Sequence, residues 1–456
     1  MTAPTDHRTP PTDRIRPDAP VDVTGPHARR HGTVIVVGAG LAGLTAAATI
    51  ARSGRAVTLL GGLAPGGRAR TDHLDGFALN RGPHALYRGA PGTEVLGRLG
   101  IHPDGARPPA RAALLWGDPR SPEALLRLGP RSLAVPGRVG PSGLLALVRL
   151  VHAATRTEPT AVAPLSIDEW VTTVVPARWR ALALAVVRVA TYVVDTDRAS
   201  ADVAVTQLRA ARHGVEYLHG GWAQLVDGLD AALEGTPGEV SRVDGRALRV
   251  HGQPGRLTVD TTTGTLTGDA VVVAAGGPEA CARLLGTTAA EAWPGSGPAV
   301  RASCLDLGLR RPPVRPVVLG VDQPLYLIAH APAARLAPPG GSVVHAMVNH
   351  RAVEEPDRGR TRAVLEALAR QAGIGEDLVV VDRYLHRMTV VGALPTPDGG
   401  GLAGRPRIDA AGRPGVWIAG DWVGPDGFLA DASLVSGEAA ARAALAHLTT
   451  SEAGRP

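Results

Sequence analysis

The stretch that decides the fold runs from residue 33 to residue 60 and reads TVIVVGAGLAGLTAAATIARSGRAVTLL. Its first five residues are all β-branched and predict a strand, an alanine-rich helix follows to about Ser53, and residues 56–60 predict a second strand. Strand, glycine turn, helix and strand within thirty residues form the context in which G-x-G-x-x-G is a dinucleotide-binding fingerprint. The sequence therefore predicts an α/β fold whose first part is a Rossmann-like parallel sheet.

The turn at residues 38–43 carries the phosphate-binding prediction. Gly38 permits the tight turn, Gly40 lets the backbone approach a pyrophosphate, and Gly43 lets helix and strand pack closely. Amide groups at the N-terminus of the helix then face the phosphate charge. We expect the pyrophosphate to lie on the backbone of Gly38, Ala39, Gly40, Leu41, Ala42 and Gly43.

Composition excludes several classes of protein. At 456 residues the chain is long enough for about two to three domains. Its two cysteines, Cys281 and Cys304, are too few for a disulfide framework and too isolated for a zinc or iron–sulfur site, so we expect buried thiols and no metal.

The chain has a net charge of +6 and contains no lysine, so all of its 48 lysine-or-arginine positions are arginine. No basic stripe with interleaved aromatic residues is present, so we expect no nucleic-acid partner. No run reaches 18 uninterrupted apolar residues, which argues against a membrane-spanning helix. We expect a cytoplasmic protein and leave contact with a membrane surface open.

Further short motifs follow the fingerprint along the chain. Gly66-Gly67-Arg68 comes just after the second strand, and the others are Gly82-Pro83-His84, Gly220-Gly221, a buried strand within residues 269–276, and Gly420-Asp421 with an alanine-rich helix after it. With these motifs in this order, residues 33–445 resemble the FAD-dependent superfamily of phytoene desaturases, protoporphyrinogen oxidases and monoamine oxidases. The phytoene-desaturase-like branch is the most similar.

The resemblance implies FAD as cofactor and a role for individual residues. Asp421 would accept hydrogen bonds from hydroxyl groups of the ribityl chain, and Arg68 would lie against a phosphate or the flavin edge. Val240 would bracket the adenine, and the helix beginning near Ala432 would direct its amides at the flavin pyrimidine edge. The other implied cofactor contacts are Gly66, Gly67, Gly82, Pro83, His84, Gly420, Ser433 and Leu434.

Two positions depart from the family pattern. The family places a glutamate at the end of the second strand to bind the adenosine ribose, and this chain has Gly61. A hydrogen bond to a charged acceptor contributes about 1.5–3 kcal/mol. We therefore expect weaker ribose binding, and expect Gly61→Glu to tighten FAD binding. Asn80 stands where the family commonly has aspartate.

The absence of lysine also bears on the reaction, because amine oxidases of this superfamily use a lysine to hold a water at flavin N5. The resemblance then favours a desaturase or dehydrogenase that transfers hydride to flavin N5 from an apolar small molecule, isoprenoid-like or a secondary metabolite. Amine oxidation, flavin-assisted isomerisation and a degenerate binding protein remain open. The sequence assigns no catalytic residue, and either oxygen or a quinone could be the electron acceptor.

The motifs divide the chain into segments. Residues 1–30 are expected to be a disordered tail, residues 31–95, 213–285 and 405–450 a discontinuous FAD-binding domain, and residues 96–212 and 286–404 an inserted α+β substrate domain. The first insertion is expected to be helical, with a capping box at Ser166–Glu169. The second is expected to form an antiparallel sheet from residues 302–307, 317–319, 325–329 and 342–348. Scattered histidines, among them His330 and His345, are expected to be core or surface residues.

Overall fold

The computed structural model describes residues 32–62, 64–109, 112–117, 119, 125–127 and 139–453, so the tail expected at residues 1–30 lies outside the described part. Its strands are β1 Val34–Val37, β2 Val57–Gly61, β3 Thr71–Leu74, β4 Phe77–Asn80, β5 Leu86–Tyr87, β6 Gly105–Ala106, β7 Ala113–Leu115, β8 Leu125–Arg127, β9 Val215–Leu218, β10 Val240–Asp244, β11 Ala247–Gln253, β12 Arg256–Thr261, β13 Gly264–Gly268, β14 Ala270–Val273, β15 Val300–Leu309, β16 Val317–Gly320, β17 Leu325–Ala329, β18 Ser342–His350, β19 Val379–Val391 and β20 Val416–Ile418. Its α-helices are α1 Leu41–Arg52, α2 Pro91–Arg98, α3 Gly140–Arg156, α4 Pro159–Val162, α5 Ile167–Val174, α6 Arg180–Thr191, α7 Ala201–Ala211, α8 Ala223–Ala231, α9 Pro278–Leu285, α10 Ala289–Ala292, α11 Arg358–Gln371 and α12 Ala430–Ala453.

Five parallel strands form the nucleotide-binding sheet, in the order β10-β2-β1-β14-β20. They come from three separate stretches of the chain. The apolar residues of β1, β2, β14 and β20 are buried on both faces, as parallel sheets require, and the edge strand β10 is partly exposed. The register pairs Val37 with Leu60 and with Val273, so the carboxyl ends of the central strands meet at one edge. The α/β prediction with a discontinuous parallel sheet is confirmed.

Helix α1 packs between this sheet and α12 because its side chains are small. Ten of its twelve residues are buried. A Cβ atom on Gly437 of α12 would lie only 2.3 Å from the carbonyl oxygen of Ala42, so the two helices approach almost backbone to backbone. This contact fixes the start of α12 beside the glycine turn.

A seven-stranded sheet forms the second part of the molecule, in the order β19-β15-β18-β17-β16-β7-β8. The four expected strands are present as β15 to β18, each within two residues of its expected ends. The first insertion, expected to be helical, also supplies β7 and β8 to this sheet. These strands have three residues each, too short for a period-2 pattern to be recognised.

Helices α3 to α7 pack together beside that sheet around a core that includes Trp170 and Leu150. The predicted capping box opens α5: Ser166 Oγ accepts from the Glu169 amide at 3.2 Å, and the Glu169 carboxylate accepts from the Ser166 amide at 2.7 Å. Among the described residues, none of the helices combines the length and the hydropathy that a membrane crossing requires.

Candidate cofactor and active site

A cavity of about 620 Å³ opens at the carboxyl edge of the parallel sheet and extends to the seven-stranded sheet. We call it the cofactor cavity. Ligands of open α/β sheets bind at this edge, so its position is the expected one. Twelve of the residues predicted to bind the cofactor lie in its wall: Gly38, Gly40, Leu41, Ala42, Gly66, Gly67, Arg68, Pro83, His84, Gly420, Asp421 and Ser433.

The glycine turn has the geometry that a bound pyrophosphate needs. Gly38 has φ +109°, and a Cβ atom there would lie 2.4 Å from the carbonyl oxygen of Ala274. A Cβ atom on Gly43 would lie 1.7 Å from the carbonyl oxygen of Gly38, so only glycine allows helix and strand to approach. At Gly40 no atom lies within 4 Å of the Cβ position. The first and last glycines therefore close the turn, and the middle one leaves space for a ligand beside the helix N-terminus.

Arg68 and Asp421 form a two-pronged ion pair in the wall of the cavity. Both terminal guanidinium nitrogens donate to the carboxylate at 2.7 Å, and the Gly392 amide donates to the same carboxylate at 2.8 Å. Asp421 is 1% exposed. Three of its roughly four accepting positions are occupied, which leaves one for a ligand hydroxyl.

One part of the cavity wall, which includes Tyr87 and Tyr192, is apolar. The hydroxyl groups of both tyrosines are bonded to backbone: Tyr87 donates to the Ala190 carbonyl at 2.9 Å and Tyr192 to the Pro83 carbonyl at 3.2 Å. We call this part the apolar end, and its wall consists of Leu86, Tyr87, Tyr192, Met347, Leu385, Met388 and Leu429. Sequence reasoning missed Tyr192, which ends α6 in the left-handed conformation (φ +59°).

Residues 41–445 match the family of flavin-containing amine oxidoreductases. This chain belongs to that family. It is an FAD-dependent oxidoreductase, as the resemblance of the motifs predicts. No curated protein matches the sequence.

Solved structures with this fold share little sequence with the chain. An oxidoreductase from Methanosarcina mazei superposes with a TM-score of 0.70 at 16% identity, covering 89% of this chain and 99% of the other. Cyclohexylamine oxidase from Brevibacterium oxydans gives 0.66 at 16% identity, covering 92% and 100%. The fatty acid isomerase of P. acnes that produces CLA gives 0.65 at 16% identity, covering 90% and 98%. At this identity the superpositions establish the fold.

FAD fits the donor and acceptor groups of the cavity. Amides of the turn at residues 38–43 and the N-terminus of α1 would hold the pyrophosphate, Asp421 would accept from the ribityl chain, and the first turn of α12, with Ser433, would face the flavin. Four further residues predicted to bind the cofactor do not line the cavity and lie beneath its wall. The Ala39 carbonyl accepts from the Gly66 amide at 2.7 Å, and the others, Gly43, Gly82 and Leu434, pack beneath the surface.

Val240 does not line the cofactor cavity, and its contact with the adenine stays a prediction. Val240 pairs with Val57 at the amino ends of β10 and β2, whereas the flavin-binding edge is at their carboxyl ends. Three residues of strand, about 10 Å, separate Val240 from that edge. Val243, the partner of Leu60, lies nearer that edge on the same strand.

The structure shows a close contact that bears on the expectation for Gly61. A Cβ atom at this position would lie 2.5 Å from the Cβ atom of Ala39 in the fingerprint. Real Cβ atoms do not approach so closely, so Gly61→Glu displaces the glycine turn instead of simply adding an acceptor. The small residue at 61 and the alanine at 39 fit each other.

Asn80 has a structural role that a neutral side chain can fill. Its Oδ1 accepts from the Thr71 hydroxyl and from the Trp222 amide, both at 2.8 Å. The Ala223 amide donates to Thr71 at 2.8 Å, so the two side chains together satisfy the start of α8. A carboxylate would accept the same bonds, which explains how this family position accommodates asparagine.

Asp431 is a second carboxyl group in the cavity wall, and sequence reasoning missed it. It lies in the first turn of α12, is 4% exposed, and accepts from the Gly92 amide at 3.2 Å. No ion pair to this carboxyl is present among the described residues. Burial raises the pKa of Asp431 to about 7, and the Gly92 hydrogen bond offsets only part of that rise.

Arg405 holds the loop that carries Asp421. Its guanidinium donates to the backbone carbonyls of Asp421 at 3.1 Å and Gly427 at 2.8 Å. Burial lowers the pKa of Arg405 to about 10, so it remains a cation near neutral pH. Residues 421–427 are thereby fixed between β20 and α12, and the carboxylate of Asp421 is held toward Arg68.

Proposed function

We propose that this FAD-dependent oxidoreductase is a desaturase or dehydrogenase of a neutral, apolar small molecule, of an isoprenoid-like or secondary-metabolite type. The observation that supports this proposal is the apolar end of the cavity. Its side chains are aliphatic, thioether or aromatic, and both of its tyrosine hydroxyls are already bonded to backbone. A substrate there would be bound by apolar contact and held without competing water.

The charges of the cavity favour the same conclusion. Arg68 neutralises Asp421, and the raised pKa of Asp431 leaves that carboxyl largely uncharged below about pH 7. Neither carboxyl is a strong partner for an ammonium group under those conditions. The chain also has no lysine with which to hold a water near the cofactor.

The chemistry would be divided between the cofactor and the protein. Bound FAD supplies a two-electron acceptor for hydride from a C–H bond beside an activating group. The residues of the glycine turn and the Arg68–Asp421 pair bind and orient the cofactor, while Tyr87, Tyr192 and Met347 would orient the substrate and exclude water. Positioning of the reacting C–H bond is then the main contribution of the substrate domain.

The test is anaerobic mixing of the FAD-loaded enzyme with matched pairs of substrates, a neutral apolar compound and its amine analogue. Loss of the visible flavin absorbance reports reduction. Reduction by the neutral members supports the proposal. Reduction by the amines alone would overturn it.

Amine oxidation is the second candidate, because Tyr87 and Tyr192 line the cavity and an aromatic ring can receive a cation. The same experiment decides between the two. Isomerisation would give a third pattern, in which the substrate is converted while the flavin absorbance is unchanged at the end of the reaction.

We propose in addition that α3 lies against a membrane surface, from which an apolar substrate could be taken. Leu144, Leu145, Val148 and Val151 are between 39% and 55% exposed on this helix. The helix contains no acidic residue, and Arg149 and Arg156 accompany the apolar side chains, a combination that suits anionic lipid.

Sedimentation with anionic vesicles tests this surface. We expect the wild type to pellet with the vesicles and Val148→Asp to remain in the supernatant. Val353→Asp is the matched control, because Val353 is 80% exposed outside this helix. Equal pelleting of all three proteins, or of none, would contradict the proposal.

A further inference from the structure

A row of charged side chains crosses the middle of the seven-stranded sheet. Register places Asp306 of β15 directly opposite His345 of β18 on one side and Arg383 of β19 on the other. Asp306 and His345 are both 0% exposed. Burying charged side chains at the centre of a largely apolar sheet costs free energy unless the charges are paired and hydrogen-bonded.

Asp306 has a complete shell of donors. Its Oδ1 accepts from His345 Nδ1 at 2.6 Å and from the Cys304 thiol at 3.0 Å. Its Oδ2 accepts from Arg383 Nε at 3.1 Å and Nη2 at 2.7 Å. Burial by itself would raise the pKa of Asp306, but the positive charges of His345 and Arg383 and these bonds together hold that pKa below its usual range. Asp306 is therefore a carboxylate.

The row continues from His345 toward the cofactor cavity. The rings of His345 and His330 lie 4.7 Å apart in an edge-to-face arrangement. His330 Nε2 lies 3.0 Å from the backbone carbonyl of His84, and His84 is part of the cavity wall, its ring 4.6 Å from that of Trp222. His345 Nε2 and His330 Nδ1 are buried without a hydrogen-bond partner.

The hydrogen-bond partners of His330 and His345 indicate which ring nitrogens carry protons. His330 must carry its proton on Nε2, because a carbonyl only accepts, so its Nδ1 is an acceptor. His345 must carry a proton on Nδ1 to donate to the Asp306 carboxylate. If His345 were neutral, its Nε2 would be a second acceptor and both buried nitrogens would stay unpaired, which is costly. A second proton on His345 makes its Nε2 a donor, and His330 Nδ1 is an acceptor on the neighbouring ring, whose centroid lies 4.7 Å away.

The charged groups around His345 agree with a cation there. Arg383 also bonds to Asp72 at 2.6 Å, so its charge is shared between two carboxylates. Burial and the neighbouring His345 lower the pKa of His84 to about 4 and that of His330 well below its usual value, so these two rings are neutral. The Cys304 thiol has a raised pKa, chiefly because it is buried.

We propose that Asp306, His345 and His330 form a buried hydrogen-bonded relay in which His345 is an imidazolium ion and His330 positions His84 in the wall of the cofactor cavity. Two further bonds attach the same stretch to the substrate domain: Tyr192 donates to the Pro83 carbonyl at 3.2 Å, and Arg383 donates to the Asn80 carbonyl. Residues 80–84 of the cavity wall are thus hydrogen-bonded to the substrate domain. Through these bonds the relay determines the positions of His84 and Trp222 relative to FAD.

A metal ion is the alternative occupant, since ligand atoms of Cys304, Asp306 and His345 lie within 4.8 Å of one another. The relay explains the same atoms without one. Every accepting position of Asp306 is occupied, and the guanidinium of Arg383 adjoins it.

The first test is nitrogen NMR of the holoenzyme with labelled histidine, using His345→Gln to assign the signal. We expect one histidine in the wild type with both ring nitrogens protonated between pH 6 and pH 8, and His330 with a proton on Nε2 only. A neutral His345 across this range overturns the proposal. So does a stoichiometric metal ion in protein purified without chelator, found by elemental analysis.

The second test measures FAD affinity, which requires no substrate. We expect His345→Gln to weaken FAD binding about tenfold at a temperature well below its unfolding transition. His251→Gln is the matched control, because His251 lies 3.0 Å from Asp260 in an exposed pair of the same type. Unchanged FAD affinity in folded His345→Gln would show that the row only stabilises the sheet, and would overturn the positioning role. If that variant does not fold, His345→Asn assigns the signal in its place, and FAD affinity of His330→Gln decides the positioning.

Discussion

Asp421 and Asp431 lie ten residues apart, border the same cavity, and are almost equally buried, yet their surroundings are opposite. Asp421 receives three hydrogen bonds, two of them from the Arg68 guanidinium. Asp431 accepts from the Gly92 amide, and burial dominates its titration. The difference shows that burial alone does not decide whether a carboxyl is charged. A cation within hydrogen-bond distance does.

Asp421 and Asp431 have different roles in the wall of the cofactor cavity. The paired carboxylate is an acceptor held in place by three hydrogen bonds, with a position left for a hydroxyl of the cofactor. The unpaired one changes its charge close to physiological pH, so it couples the stability of the cavity to pH.

The largest effect is expected from the pH dependence of Asp431. Its pKa is raised from 3.8 to about 7 in the folded state. Between those values the folded state keeps a proton that the unfolded state has released, so the free energy of unfolding falls as pH rises from about 4 to 7. A shift of this size corresponds to roughly 4 kcal/mol, and none of it is regained above pH 7.

Urea unfolding of the FAD-free protein at pH 5 and pH 8 measures this effect. Asp431→Asn keeps the acceptor for the Gly92 amide, so we expect it to gain stability relative to the wild type at pH 8 and to lose most of that advantage at pH 5. Asp244→Asn, an exposed position, should follow the wild type at both. A difference between wild type and Asp431→Asn that is independent of pH would contradict the assignment.

A smaller effect is expected from Asp421→Asn, which leaves the Arg68 guanidinium against an amide. We expect a loss of about 2 kcal/mol in the free energy of unfolding, less than for a fully buried pair, because the Arg68 side chain is 42% exposed to the cavity. FAD affinity should fall as well. The measurement is a double-mutant cycle with Arg68→Gln, in which the combined loss should be smaller than the sum of the two. Additive losses would mean that the two side chains act independently.

The two carboxyls also show how far the sequence could be interpreted. Gly420-Asp421 stands at the end of a strand in a motif of the family, so its place could be predicted. Asp431 and the buried Asp306 belong to no such motif. Whether an acid is paired depends on a residue distant in sequence, here Arg68 at 353 positions from Asp421 or Arg383 at 77 from Asp306, and spacing does not encode that contact.

Local patterns predicted the elements well and their register less well. Glycine spacing and β-branched runs indicated β1, α1 and β14, because these depend on neighbouring residues. The place of Val240 at the amino end of β10 could not be predicted, because it depends on the pairing of that strand with β2. Tyr192 could not be found, since its exposure to the cavity follows from the left-handed end of α6. The charge on Asp306 within an apolar strand was the one signal in the sequence that could have identified the relay.

The smallest effect is expected where the cofactor site departs from its family, at Gly61 and Ala39. Gly61→Glu alone should weaken FAD binding, because its Cβ atom would lie 2.5 Å from that of Ala39. Removing that methyl group in the double variant Ala39→Gly/Gly61→Glu provides room, and the new carboxylate can accept from the ribose. We expect the double variant to bind FAD more tightly than the wild type by about 1.5 kcal/mol, roughly tenfold.

Titration of FAD-free protein with FAD, followed by flavin fluorescence, measures all four proteins of this cycle. Ala39→Gly alone serves as the control for the added flexibility of the turn, and should bind FAD no more tightly than the wild type. If Gly61→Glu tightens binding without the second substitution, the contact with Ala39 relaxes more easily than the backbone geometry indicates. If neither variant carrying the Gly61→Glu substitution improves on the wild type, the ribose lies out of reach of β2, and this branch holds the nucleotide through the groups on β10 and the glycine turn instead.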